Sequence, residues 1–167
     1  MITKSRATRS ADAIRPLAII SRQLETYAQR GVFRSFSQGE DEREFFFYWL
    51  WNLPFRLTYD GKRNALSFSN LFPNIVAGSG LETELKAFIR ELSSPRRRRH
   101  RRLDPRRTVA RYINRQNTGS LVFLIAGKDY EYAVQRALNS VHEVFVGFLN
   151  LRYPEYMRES FHVSDDI

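Results

Sequence analysis

The sequence contains no cysteine, which excludes disulfide bonds, thiolate zinc sites and cysteine nucleophiles. Long hydrophobic runs are also missing. The longest apolar stretches, such as 45–51 and 121–126, have seven and six residues, far fewer than the ~20 that a membrane span requires. The first fifteen residues carry no apolar segment of signal-peptide length. These absences predict a cytoplasmic protein that does not enter a membrane.

Histidine is scarce as well, and its three copies do not form a recognisable site. His100, His142 and His162 are far apart in the sequence and show no His-x₃-His spacing. The segment 78–80 reads Gly-Ser-Gly, but it lacks the third glycine of a dinucleotide-binding fingerprint and the Gly-Lys-Ser/Thr of a P-loop. We therefore predict no catalytic residue, no metal ligand and no cofactor, and we expect a protein that is not an enzyme.

Positive charge, by contrast, is abundant and concentrated in one segment. Residues 96–107 hold eight arginines and one carboxylate, Asp104, for a local net charge of +7, whereas the whole chain carries +9. The remainder is close to neutral, apart from a mildly basic N-terminal stretch. A basic patch on a nearly neutral domain predicts an acidic or polyanionic partner.

The arginines of this segment are the candidate binding residues. Guanidinium groups form bidentate, weakly hydrated contacts with phosphates, so the partner is expected to be a nucleic acid or an acidic protein segment. The alternative is a disordered, solvated loop without a function, because blocks of like charge repel each other. Two arginines on the following strand share a sheet face and are predicted to extend the patch. The full candidate set is Arg96, Arg97, Arg98, Arg99, Arg101, Arg102, Arg106, Arg107, Arg111 and Arg115.

An acidic cluster precedes the aromatic run of the chain. It consists of Glu40, Asp41, Glu42 and Glu44. Its residues would alternate between the faces of a strand, so a solvated turn is favoured over a metal or acid–base site. A third interpretation is that the cluster docks the arginine segment of the same or of a second chain, through exposed and individually weak ion pairs.

Length and composition suit a single domain with its own core, since 43% of the 167 residues are hydrophobic. We expect a flexible tail over 1–11 and one α+β domain over 12–163, with 95–107 as an arginine-rich loop inside it. Apolar residues recur at helical spacing over 13–30 and over 81–92, after a capping-box serine. A long helix is predicted from Asp129 as N-cap, with one apolar stripe formed by Val134, Leu138, Val141, Phe145 and Phe148.

Alternation of apolar and polar residues predicts two strand pairs. Residues 55–59 and 66–68 flank a turn that begins Asp-Gly, which indicates a β-hairpin. Residues 109–115 and 121–126 flank a second turn, with glycine suited to a left-handed position. Both pairs are therefore expected to be antiparallel.

The aromatic run 45–51 has six aromatic residues in seven. It favours a strand buried on both faces, although a buried helix has the same signal. An exposed platform that stacks nucleic-acid bases is the functional alternative. A further short strand is expected at 32–36.

The predicted order is helix, strands, helix, two strands and long helix. Adjacent strands joined by turn-sized loops predict an antiparallel sheet of four to six strands with helices packed on one face, an α+β fold. Over about residues 13–150 this order resembles the type III secretion chaperone-like fold. The resemblance implies a dimer that binds segments of partner proteins, and it implies no particular functional residue.

Three functions follow as hypotheses. The first is a non-enzymatic binding module, expected to be a homodimer, that recruits an acidic or polyanionic partner through the arginine-rich loop. The alternative is a protein-assembly or chaperone-like dimeric domain that works through an apolar sheet or helix surface. The third is an enzyme or small-ligand binder with a pocket between sheet and helices. Binding that falls steeply with salt would separate the first from the second.

Overall fold

The computed structural model describes the backbone of residues 2–163 and the side chains of residues 15–163. The strands are β1 (Arg34–Gln38), β2 (Glu44–Trp49), β3 (Leu53–Asp60), β4 (Ala65–Phe72), β5 (Thr108–Arg115) and β6 (Thr118–Ile125). The helices are α1 (Ile2–Gln29), α2 (Gly80–Glu91), α3 (Tyr130–His142), α4 (Asn150–Arg152) and α5 (Pro154–Phe161), with a π-helical segment, Glu143–Leu149, between α3 and α4.

Helix α1 begins at Ile2, within the segment 1–11 for which the sequence predicts a flexible tail. Residue 1 and the side chains of 2–14 lie outside the described residues. The tail therefore stays a prediction.

All six strands form one sheet in the order β1-β2-β3-β4-β6-β5, and every neighbouring pair is antiparallel. The helices cover one face, which we call the helix face. The opposite face is called the outer face. The α+β class, the antiparallel sheet, the strand number and the order of elements are confirmed. Both predicted hairpins are present, as β3–β4 and β5–β6. The glycine predicted to be left-handed in the second turn, Gly119, instead lies within β6, and Gln116 and Asn117 take the positive φ values of that turn.

The aromatic run forms a strand, but the prediction that it is buried on both faces is wrong. Phe45 and Phe47 are buried on the helix face, whereas Phe46 and Tyr48 are 38% and 44% exposed on the outer face. Successive side chains of a strand point to opposite faces, and only one face of this sheet is covered by helices. The hydrophobicity of the run therefore does not indicate which of its rings are covered by helices.

The run also ends earlier than expected, at Trp49. Leu50, Trp51 and Asn52 have φ values of 29°, 55° and 58°, so three left-handed residues reverse the chain into β3. The backbone N–H of Leu53 donates to the Leu50 carbonyl at 3.1 Å and closes this turn. The short strand expected at 32–36 lies slightly later, as β1.

The core lies between the helix face and the helices. The predicted apolar stripe of the long helix is buried along its whole length, although its last two residues lie in the π-helical segment. Aromatic rings fill the centre. The Phe47 ring stacks on Phe33 and on Phe55, with centroids 4.1 and 5.9 Å away. Phe145 meets Phe55 and Phe72 from the other side, at 5.9 and 5.3 Å.

This packing predicts that two adjacent residues of β2 contribute unequally to the free energy of unfolding. Phe47→Ala should lower the free energy of unfolding by about 3–5 kcal/mol, because it leaves a cavity among packed rings. Phe46→Ala, on the outer face, should cost about 1 kcal/mol or less. Urea unfolding followed by tryptophan fluorescence measures both values. Equal losses would contradict the one-sided burial of the strand.

A buried carboxylate joins α2 to β5. The Ser79 side chain caps α2 by accepting from the Glu82 N–H at 3.3 Å, and Glu82 Oε1 accepts from the Gly78 N–H at 3.0 Å. Glu82 Oε2 accepts from Tyr112 Oη–H at 2.9 Å and from Asn114 Nδ2–H at 2.6 Å. These donors, led by the Gly78 N–H, lower the pKa of Glu82 from 4.5 to about 2. The predicted serine cap is thus confirmed, but the reciprocal bond of a capping box is not formed, because Glu82 accepts from the Gly78 N–H and the Ser79 N–H donates to the Val76 carbonyl.

Glu82→Gln should destabilise the protein by about 1–3 kcal/mol at pH 7, because an amide NH₂ would face donors that the carboxylate now satisfies. The pKa of Glu82 is depressed, so its contribution is full above its ordinary value of 4.5 and is lost as the pH falls through about 2. The stability gap between wild type and variant should therefore shrink between these pH values. Urea unfolding at several pH values tests this, and a gap independent of pH would refute it.

Candidate polyanion-binding cleft

The arginine-rich loop, 95–107, is folded onto the domain. Leu103 is only 1% exposed, and its N–H donates to the Leu92 carbonyl at 2.8 Å. The next residue, Asp104, donates its N–H to Tyr132 Oη at 2.9 Å. Within the loop, the Arg101 N–H donates to the Arg98 carbonyl at 2.8 Å. One apolar side chain and two backbone bonds thus fix the loop against α2 and α3.

Two arginines strengthen this attachment. Arg97 Nε donates to the Glu91 carbonyl at 3.0 Å, and its guanidinium pairs with Glu143. Arg107 Nε donates to Asp129 Oδ2 at 2.7 Å, and its guanidinium lies 3.6 Å from the centroid of the Tyr132 ring. Asp129 is at the N-cap position of α3, as predicted, but its carboxylate makes no capping bond because it pairs with the loop instead.

Most of the other arginines keep their charge unpaired. Five arginines of the loop have no carboxylate partner among the described residues. Arg106 pairs with Asp104 at 3.5 Å, but its own side chain is 90% exposed. The Arg106 backbone N–H donates to Asp104 Oδ1 at 3.0 Å, and this bond is the main cause that lowers the pKa of the Asp104 carboxyl. The unpaired five are Arg96, Arg98, Arg99, Arg101 and Arg102.

A cleft of about 540 Å³ opens between the loop and α3. Arginines line both of its walls, with Arg136 on α3 and the others on the loop. Arg136 Nη1 donates to the His100 carbonyl, which ties the two walls together. Among the described lining residues, Asp104 alone carries a carboxylate. The lining consists of Arg99, His100, Arg102, Asp104, Arg106, Arg107, Tyr132 and Arg136.

The structure brings together four of the ten predicted arginines in this cleft and places the others elsewhere. Arg97 is turned toward Phe88 and Glu143. Three more are exposed on the loop outside the lining, namely Arg96, Arg98 and Arg101.

Arg111 and Arg115 do share a sheet face, but they do not extend the cleft. Their strand neighbours Tyr112 and Asn114 both bond to Glu82 on α2, so these neighbours lie on the helix face. Alternation along β5 then places both arginines on the outer face. The cleft lies on the helix side, beside α3, and the patch extension predicted from the sequence is therefore not formed.

Sequence reasoning missed two cleft residues, Tyr132 and Arg136. They are four positions apart on α3 and therefore lie on one side of the helix. Tyr132 is 9% exposed, and its ring has a guanidinium above it. The spacing of an aromatic and an arginine was visible in the sequence, but nothing in the spacing indicates that the loop folds over this part of the helix.

The acidic cluster does not form a site with the loop in the same chain. Asp41 accepts from Arg43 Nε at 3.0 Å, and the Arg43 side chain lowers the pKa of Asp41 to about 2. Glu44 pairs with Arg56. The cluster adjoins β1 and β2, at the sheet edge farthest from β5. In the part of the chain that the structure describes, no group of three or more His, Asp or Glu side chains is arranged to hold a metal ion.

Comparisons with protein-family models, with curated proteins and with solved structures found no match to this chain. Within residues 2–163, no helix combines the length and the apolar content that a membrane crossing requires.

The anchoring of the loop can be tested by proteolysis. Leu103→Ala should speed trypsin cleavage after the arginines of 98–102 by about tenfold or more, because losing ~1.4 kcal/mol of local stability raises the open population tenfold. Leu57→Ala, a buried leucine of β3, is the matched control for a general loss of stability. Equal acceleration in both variants, or none in Leu103→Ala, would contradict a loop held by Leu103.

Proposed function

We propose that this chain is a non-enzymatic binding module that recruits a polyanionic partner through its arginine-rich loop. The observation that carries the proposal is the cleft itself, where five arginines converge from two walls and one carboxylate opposes them. A cluster of like charges is costly without a counter-charge, so a bound anion would stabilise this arrangement.

The chemistry of the lining favours phosphate over carboxylate groups. A guanidinium presents several donors in one plane, and a phosphate offers acceptor oxygens on all sides, so several arginines can bond to one group. Arg107 is already held over Tyr132, and Arg136 is already bonded to the loop backbone. Side chains fixed in advance lose less conformational entropy on binding.

The exposed arginines outside the cleft have a different role. Arg96, Arg98 and Arg101 extend the positive field around the cleft without a fixed geometry. Because the loop carries a net charge of +7 and the whole chain +9, the field is directed to this side of the domain. Such a field raises the association rate of a polyanion and orients its approach.

Salt dependence of binding tests this function. We expect a labelled 20-base-pair duplex to bind the wild type with a log–log salt slope of about −5, which corresponds to about six phosphates. The triple variant Arg99→Ser, Arg102→Ser, Arg106→Ser should reduce the slope by about 3, since each lost phosphate contact removes about 0.9. Fluorescence anisotropy at several salt concentrations measures both slopes.

The matched control removes three exposed cations at the β1 end of the domain, with Arg22→Ser, Arg30→Ser and Arg34→Ser. It should change the slope by less than about 1. If both triple variants weaken binding equally, net charge and not the cleft is responsible. If the wild type shows no micromolar binding of duplex, single strand or acidic peptide at low salt, the proposed function is wrong.

A second candidate function rests on the outer face of the sheet. Phe46 and Tyr48 are adjacent on this face and substantially exposed, which suits a protein-assembly or chaperone-like dimer that works through an apolar surface. The resemblance in element order points the same way. Self-association or partner binding that persists in 1 M salt, where the Debye length is about 3 Å, would support this candidate instead.

A further inference from the structure

We infer that the cleft binds a chain of adjacent phosphate groups, and that Arg136 is the fixed anchor of this chain. The inference rests on the proposed function and specifies its ligand. The shared chemistry is the phosphoanhydride chain, which occurs both in inorganic polyphosphate and in the tail of a nucleoside triphosphate. Three observations support the inference. They are the surroundings of Arg136, the two walls of the cleft, and the Tyr132 ring, which the Arg107 guanidinium already covers.

Arg136 is a partly buried cation for which residues 15–163 supply no counter-charge. Its Nη1 donates to the His100 carbonyl, and its guanidinium carbon lies 5.2 Å from the centroid of the Tyr132 ring. Among the described residues, no carboxylate pairs with Arg136, and its Nε is buried without a hydrogen-bond partner. A guanidinium that is held in place by neutral partners and keeps an unused buried donor is the feature expected of an anion-binding site.

The opposite wall supplies guanidiniums that are free to close on a ligand. Arg99 and Arg102 have no carboxylate partner among the described residues, and they face the cleft together with Arg106. Cations on two walls suit a compact ligand that carries charge on several sides. A cleft of about 540 Å³ lies within the range of about 300–1,000 Å³ that small-ligand sites occupy. A double helix, whose phosphates lie on a convex surface, cannot contact both walls in the same way.

The cleft offers no surface on which a nucleobase could stack. Tyr132 is the only aromatic ring among the described lining residues other than the imidazole of His100. Its ring is mostly buried, and the Arg107 guanidinium lies 3.6 Å from its centroid. The position that a base would need for stacking is therefore filled by a cation. Recognition should depend on the phosphates, and a nucleoside at the end of the chain should add little.

Isothermal titration calorimetry with three defined ligands tests this inference. Sodium tripolyphosphate, ATP and sodium sulfate are titrated into the wild type at one ionic strength, with EDTA present to remove divalent cations. Tripolyphosphate should bind at least about tenfold more tightly than sulfate, because several charge-assisted bonds form at once. ATP should bind within about threefold of tripolyphosphate, since the base finds no stacking partner.

Three variants assign the role of Arg136. Arg136→Met, which keeps an unbranched stem to about the position of Nε but removes the guanidinium, should weaken tripolyphosphate binding by about tenfold or more. Arg136→Lys, which keeps the charge but not the fork, should fall between this variant and the wild type. Arg99→Ser with Arg102→Ser removes the facing wall, and it should also weaken binding. This double variant keeps the test decisive if Arg136→Met does not fold, because neither arginine pairs with a carboxylate of residues 15–163.

The outcomes separate this inference from the proposed function. If tripolyphosphate binds no better than sulfate while the duplex keeps its steep salt slope, the phosphate-chain inference is wrong and the proposed function stands. If tripolyphosphate, duplex, single strand and acidic peptide all fail to bind at low salt, both the inference and the proposed function are wrong. Unchanged binding in Arg136→Met would remove Arg136 as the anchor. ATP binding far tighter than tripolyphosphate would show that the base is recognised, which contradicts the account of Tyr132.

Discussion

Tyr132 holds the arginine-rich loop to the rest of the domain through both ends of its side chain. Its hydroxyl accepts the Asp104 N–H, and its ring carries the Arg107 guanidinium. The buried Leu103 next to Asp104 fixes the same point of the loop with an apolar contact. Without this attachment the two walls of the cleft would not face each other, and the arginines would form only a mobile basic segment. The position of every candidate binding residue on the loop depends on it.

Repulsion among the arginines opposes this attachment. Three carboxylates, Asp104, Asp129 and Glu143, neutralise part of the charge. The two exposed pairs, made by Asp104 and Asp129, contribute only about 0–1 kcal/mol each. The loop is therefore folded with an excess of positive charge that its own domain does not cancel. A polyanion would relieve this excess, so binding and ordering of the loop should stabilise each other. Binding of a partner and folding of the loop are therefore thermodynamically linked.

Periodicity and turn chemistry were sufficient to predict the elements of the fold. The β3–β4 hairpin, the capped helix α2 and the buried stripe of α3 all follow from local patterns that the tertiary structure respects. Some element ends were displaced by about two residues, at β1 and at the end of β2. The errors about burial occurred where the answer depends on which surface covers a residue. Phe46 and Tyr48 are as hydrophobic as their neighbours but lie on the uncovered face, and Arg111 and Arg115 lie on the same face for the same reason. The cleft could be predicted only in part. Arg136 lies on α3, and it lines the cleft only because the arginine-rich loop packs against that helix, which the sequence does not indicate.

Amide hydrogen exchange of the free protein tests the central claim, which is that the loop is folded before any partner binds. The Leu103 N–H bonds to the Leu92 carbonyl and the Asp104 N–H bonds to the Tyr132 hydroxyl. We expect these two amides to exchange at least about 100-fold more slowly than an unstructured chain, because their exchange requires local opening. The Arg99 amide, for which the described residues offer no acceptor, serves as the internal reference. Exchange of all three amides at the rate of an unstructured chain would show that the loop is not docked and that the cleft does not exist in the free protein.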